Sequence, residues 1–240
     1  MKLLRLLLFI VPVCLQAQVP ALKKLNKDSL KKALPVASVK PTQDEVVAAL
    51  RQALSRGADS AVAHAGIADG YLKNDRLFIP WPQDCKEMKQ KLQSLGMQEK
   101  INTFEMSVNR AAEDAAKSAA PIFINAIKNM SIQDGFAILN GSDTAATHYL
   151  RTTAYAQLAE TFRPIVRTAI EKYQVTANWT PLMTMYNKIP FVKKQNPDLE
   201  TYVTDKAIAG LMVLIADQEK NIRSNPLART SDLLKKVFGK

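Results

Sequence analysis

Length, composition and charge narrow the class of protein. The chain has 240 residues, of which 47% are apolar and 23% charged, and only 8 glycines, which excludes a chain that is disordered throughout. The formal net charge is +11, but the basic residues are not interleaved with aromatic residues, so we expect no nucleic-acid partner.

Residues 1–17 predict a secretory signal peptide. Lys2 and Arg5 precede a short apolar run, and Ala17 provides a small residue just before a cleavage point ahead of Gln18. The apolar run is shorter than the roughly 20 residues that a membrane-spanning helix needs. We therefore expect an exported protein, with an uncleaved membrane anchor as the alternative.

Cleavage would remove Cys14 and leave Cys85 as the remaining cysteine, so no disulfide within the chain is expected. Cys85 is predicted to be a small buried core residue, and a reactive thiol or a bridge between two chains is the alternative.

Residues 18–42 form a basic arm with six lysines and a single acidic residue, Asp28. We predict a flexible linker between the signal peptide and the folded domain. Leucines at loosely helical spacing leave a second interpretation open, in which the arm lies on an anionic membrane surface or against a partner helix.

Residues 43–240 predict one all-α domain of about nine helices. Thr42 and Glu45 form a capping box that begins the first helix, and Gly57 is predicted to end it. A short proline-rich segment at 77–82 is predicted to be extended, because proline disfavours the helical conformation in the residue before it. Helical patterns resume after Pro82 and continue to the end of the chain.

The second half of the domain is predicted to be helical throughout. A helix from about Gln98 restarts near Pro121, and a long helix from Asp143 breaks near Pro164. A short helix starts at Pro181. Residues 198–223 form a strong helix, and its stretch 207–216 carries no charge, which predicts the central buried helix. A final short helix follows Ser231.

The stretch 130–151 holds the candidate polar site. Ser131 and Asp134 predict one helix cap, and Ser142 or Asp143 predicts the next, whose first-turn amides can hold an anion. In one interpretation Asn109, Arg110 and Arg151 converge on this turn and form a polar pocket with Asp143. In the other, Asp134 and Asp143 are caps and the arginines pair with them or with carboxylates such as Glu113. The candidate residues for ligand binding or structure are Asn109, Arg110, Glu113, Asp134, Asp143, Thr144, Thr147 and Arg151.

Motifs that carry their own chemistry do not occur in the chain. Its 2 histidines do not lie in a His-Glu-x-x-His or Glu-x-x-His pattern, and no phosphate-loop, dinucleotide or serine-hydrolase fingerprint is present. We therefore assign no catalytic residue and expect no metal and no cofactor.

Six segments carry a resemblance to a known family: DGYL at 69–72, SVNRAAE at 107–113, MSIQD at 130–134, GSDTAAT at 141–147, EKNIRSNP at 219–226 and SDLLKKVFG at 231–239. They resemble the bacterial family called domain of unknown function 4197. The resemblance implies an exported, mostly helical envelope protein of Gram-negative bacteria and no particular activity. Two departures are Ser142, where the family has a second glycine, and His148, where it often has an acidic residue.

Three functions remain open from the sequence. We favour a binding or structural component of the periplasm or cell envelope, with another envelope protein or an anionic membrane surface as its partner. The first alternative is an enzyme such as a hydrolase, or a binder of small anions, that uses a pocket at the Asp143 helix start. The second is a peripheral membrane protein attached through the basic arm.

Overall fold

Helices are the only regular elements in residues 41–239, the part of the chain that this computed structural model describes. The predicted signal peptide and the basic arm up to Lys40 lie outside the described residues. Ten α-helices follow in order: α1 Gln43–Ala65, α2 Lys86–Ser94, α3 Gln98–Ala116, α4 Ala120–Lys128, α5 Ile132–Leu139, α6 Ala145–Thr153, α7 Tyr155–Lys172, α8 Val175–Asn187, α9 Leu199–Ser224 and α10 Asp232–Phe238. The predicted all-α class is confirmed.

The longest helix, α9, lies at the centre of the packing and contacts α1, α3, α6 and α7. Its buried side includes Ala207, Ile208, Leu211 and Met212, all within the stretch predicted to be central from its lack of charge. That prediction is confirmed. No described helix has the length and hydrophobicity needed to cross a lipid bilayer.

Three helix boundaries differ from their predictions. α1 continues through Gly57, because this glycine is buried against α9, where a Cβ would lie 3.4 Å from the Gln218 Cβ. The long helix predicted from Asp143 is two helices that meet at Ala154, and Pro164 lies inside α7. α8 begins at Val175, well before Pro181, because the left-handed Gln174 (φ 54°) separates it from α7.

Residues 66–82, which make up most of the connection between α1 and α2, are held by side chains of other elements. The Asn109 amide accepts from Ile79 N at 2.8 Å and donates to Ile79 O at 2.9 Å, as a neighbouring strand would. The Tyr202 hydroxyl donates to Pro80 O at 2.8 Å. Buried backbone groups need such partners, so the segment predicted to be extended is fixed by α3 and α9.

Cys85 is buried, as predicted. Burial raises the pKa of its thiol, and the neighbouring Asp84 carboxylate raises it further. A high pKa keeps the sulfur protonated and a poor nucleophile, so the side chain behaves as a core residue.

Candidate functional site

The first turn of α6 binds a carboxylate that belongs to the protein itself. Glu219 of α9 accepts hydrogen bonds from Ala146 N at 2.9 Å, from Thr147 N at 3.0 Å and from the Thr147 hydroxyl at 3.0 Å. Helix starts favour anions because their amides lack partners within the helix. The anion predicted at this helix start is therefore present, but it is an internal one.

Arg223, one turn after Glu219, completes this cluster. Its guanidinium pairs with the Glu219 carboxylate at 3.0 Å and donates to Ile138 O, at the end of α5, at 2.8 Å. Only 6% of the Glu219 side chain and 12% of the Arg223 side chain are exposed. These residues, with Ala146 and Thr147, form the Glu219 clasp, which joins α5, α6 and α9.

A second buried carboxylate, Glu113 of α3, is arranged in a similar way. It accepts from Tyr71 N at 3.1 Å and from Leu72 N at 3.0 Å, and it pairs with Arg110 at 2.7 Å. Arg110 also pairs with Asp69 at 2.6 Å. We call this group the Glu113 clasp. Burial and the Glu113 charge raise the pKa of the Tyr71 hydroxyl, which donates to Ala207 O.

The structure does not bring Arg110 to Asp143 or to Arg151. Both carboxylates that Arg110 contacts, Asp69 and Glu113, lie in the Glu113 clasp. Asp143 is exposed and makes no hydrogen bond or ion pair with any residue of the range 41–239. The convergence of both arginines on Asp143 is therefore wrong.

The predicted caps have different outcomes. Asp134 and Ser131 form the expected capping box of α5, with Asp134 N donating to the Ser131 hydroxyl at 3.1 Å and Ser131 N donating to the carboxylate at 2.9 Å. The cap predicted at Ser142 or Asp143 is wrong. Thr144 occupies the N-cap position of α6 without a side-chain bond, because Glu219 already accepts from the amides that a local cap would bind.

An open groove of about 260 Å³, with both polar and apolar lining residues, lies between α6 and α9. We call it the α6–α9 groove, and its lining includes Arg76, Thr144, Thr147, His148, Arg151 and Asp217. Arg76 binds Asp217 through two bonds of 2.7 and 3.0 Å. Arg151 is exposed and has no carboxylate within 4.0 Å among residues 41–239, so it contributes an uncompensated positive charge. No described group of three or more His, Cys, Asp or Glu side chains could hold a metal.

The sequence did not identify three residues that organise these clusters: Asp69, Glu219 and Arg223. Glu219 and Arg223 are spaced four apart on one helix, which predicts a local ion pair. That spacing does not indicate an acceptor for a helix start 73 residues away. Arg110 and Glu113, three apart on α3, give a comparable local signal without showing which loop they bind.

Comparison with known proteins decides the family. The sequence model of the family described as protein of unknown function (DUF4197) matches residues 40–239. The chain belongs to the DUF4197 family. Neither the curated proteins nor the solved structures include a match to this DUF4197 chain.

Four of the six segments that resemble DUF4197 patterns meet in two pairs in the structure. Residues 69–72 and 107–113 together supply the Glu113 clasp. Residues 141–147 and 219–226 supply most of the Glu219 clasp. In this DUF4197 protein the most recognisable sequence therefore builds internal connections, and the α6–α9 groove lies beside one of them.

Proposed function

We propose that this protein is an exported binding component of the bacterial cell envelope and that the α6–α9 groove receives a small anionic group. The observation that carries the proposal is the exposed Arg151 guanidinium, which lines the groove beside His148 without a carboxylate partner among the described residues. Guanidinium groups bind phosphate and carboxylate through paired, charge-assisted hydrogen bonds. Asp217, the carboxylate that lines the groove, is already paired with Arg76. It therefore does not neutralise Arg151, and a bound anionic group would.

A binding role fits the chemistry of the groove better than a hydrolytic one. The hydrolase alternative relies on Asp143, which is exposed and is not among the residues that line the groove. The buried carboxylates Glu113 and Glu219 each accept several hydrogen bonds. Their oxygens are already engaged by backbone amides and an arginine, so they are not free to accept a proton from a substrate.

Substitution of Arg151 tests the groove. We expect inorganic phosphate to bind the protein and Arg151→Ala to weaken that binding at least about ten-fold, because a hydrogen bond to a charged group is lost. Binding is measured by NMR titration of backbone amides, which also locates the contact at residues 144–151. Arg56→Ala is the matched control, since Arg56 is exposed on α1 and has no ion pair with a described residue. Equal phosphate binding by the wild type and by Arg151→Ala would refute the proposal that the α6–α9 groove binds an anion.

Export is tested separately, by the mass of the mature chain. We expect the periplasmic fraction of a Gram-negative host to contain a chain that begins at Gln18, because the residues before it have the pattern of a cleaved signal peptide. Leu7→Arg interrupts the apolar run and should keep the uncleaved chain out of the periplasm. A wild-type chain that retains residues 1–17 in the cytoplasm would contradict export.

A further inference from the structure

The connection between α8 and α9 displays an aromatic side chain to solvent. Phe191 has a relative exposure of 108%, the highest among the exposed large apolar residues of the described range. Its backbone is in the left-handed region, with φ 63°, a conformation that bulky side chains rarely adopt. Strain of this kind persists only where the surrounding structure holds it.

The loop that carries Phe191 is closed at its base. The Asn187 side chain donates to Gln195 O at 3.0 Å and accepts from Gln195 N at 2.9 Å. Ile189 and Val192, on either side of the tip, pack against the core. Phe191 is therefore held in solvent by a constrained loop, while its apolar neighbours Ile189 and Val192 pack against the core.

Three exposed lysines lie within three residues of Phe191 along the chain: Lys188, Lys193 and Lys194. None of them lies within 4.0 Å of a carboxylate of residues 41–239. The next acidic residue along the chain, Asp198, is engaged as the cap of α9 through Thr201 N at 3.0 Å. The loop tip thus combines one apolar group with three uncompensated positive charges.

We propose that residues 188–194 are a membrane contact, in which Phe191 enters the headgroup region of an anionic lipid surface and the three lysines bind lipid phosphates. Segments that bind membrane surfaces combine apolar side chains such as Phe, which enter the lipid, with lysines that face the anionic headgroups. A protein partner fits the loop less well, because the cores of protein interfaces are depleted in lysine. The contact depends neither on the α6–α9 groove nor on the predicted basic arm.

Vesicle binding by the chain that begins at Gln18 tests this contact. We expect it to bind vesicles of phosphatidylethanolamine with roughly one-third phosphatidylglycerol, and to bind phosphatidylcholine vesicles much more weakly. Phe191→Ser should weaken binding about five-fold or more, since the apolar ring no longer leaves water. The triple substitution of Lys188, Lys193 and Lys194 by Gln should weaken it further and reduce its dependence on salt.

Matched substitutions outside the loop show whether any exposed apolar residue, or any loss of three positive charges, would have the same effect on vesicle binding. Leu227→Ser removes another highly exposed apolar residue, 89% exposed, and should leave binding unchanged. Substitution of Lys91, Lys128 and Lys220 by Gln removes the same charge from three other helices or helix ends and should have a smaller effect. Phe191→Trp should retain binding, and its fluorescence should shift to the blue when vesicles are added.

Three results would overturn the proposal. Binding that is unchanged in both Phe191→Ser and the loop lysine variant would assign the membrane contact to the arm alone. No fluorescence shift of Phe191→Trp at saturating lipid would show that the tip stays in water. Capture of a protein partner that Phe191→Ser abolishes, without any vesicle binding, would assign the loop to a protein interface instead.

Discussion

Glu219→Ala is expected to lower the free energy of unfolding by about 3–5 kcal/mol, the usual cost of removing one partner of a buried ion pair. The substitution leaves the amides of Ala146 and Thr147 without their acceptor and the largely buried Arg223 without its carboxylate. Unfolding in urea, followed by circular dichroism at the helical band, measures the loss.

Two further variants define the origin of this effect. Glu160→Ala removes an exposed glutamate of α7 and should change stability by no more than about 0.5 kcal/mol. Glu219→Gln keeps an acceptor oxygen but removes the charge. Its free energy of unfolding should therefore lie between that of the wild type and that of Glu219→Ala. If Glu219→Ala lost less than about 1 kcal/mol, the clasp would not hold α6 on α9.

Asn109→Ala is expected to cost about 2–4 kcal/mol, because it leaves the buried N–H and C=O groups of Ile79 without partners. Asn109 and Ile79 are both buried, so bulk water does not reach these groups in the folded protein. Asn109→Asp retains an acceptor for Ile79 N but places carboxylate oxygen beside Ile79 O and Glu105 O, and we expect it to be no more stable than the alanine variant.

The control for this second prediction lies on the same helix. Asn102 is exposed on α3 and bonds only the side chain of Gln98 within the described residues, so Asn102→Ala should change stability by no more than about 0.5 kcal/mol. Equal stability of Asn109→Ala and Asn102→Ala in urea unfolding would contradict a structural role for Asn109. It would return Asn109 to the candidate ligand residues.

Local features of the fold could be predicted from the sequence. The capping boxes at Thr42 and at Ser131 are complete within four residues, so neighbouring side chains determine them. The uncharged stretch of α9 predicted burial because a helix without charge on any side must be covered. The family resemblance was also confirmed, because the DUF4197 sequence model matches residues 40–239.

Features that depend on distant partners could not be predicted. Ser142 and Asp143 were both plausible caps for α6, and neither side chain caps the helix, because packing places the Glu219 carboxylate at the amides of its first turn. Gly57 has the character of a helix end, yet it lies buried within α1 and packs against α9. Pro164 lies within α7, where neighbouring turns preserve the helix on either side of it.

Residues 66–82 have the conformation of a loop but the bonding of a core element. Loops usually accept insertions and deletions, because few specific bonds depend on their length. Here a single inserted residue between Tyr71 and Ile79 would remove one of them from its partner, either the Glu113 carboxylate or the Asn109 amide. Length variation in relatives of this protein should therefore be confined to other connections, and this one should keep a constant number of residues.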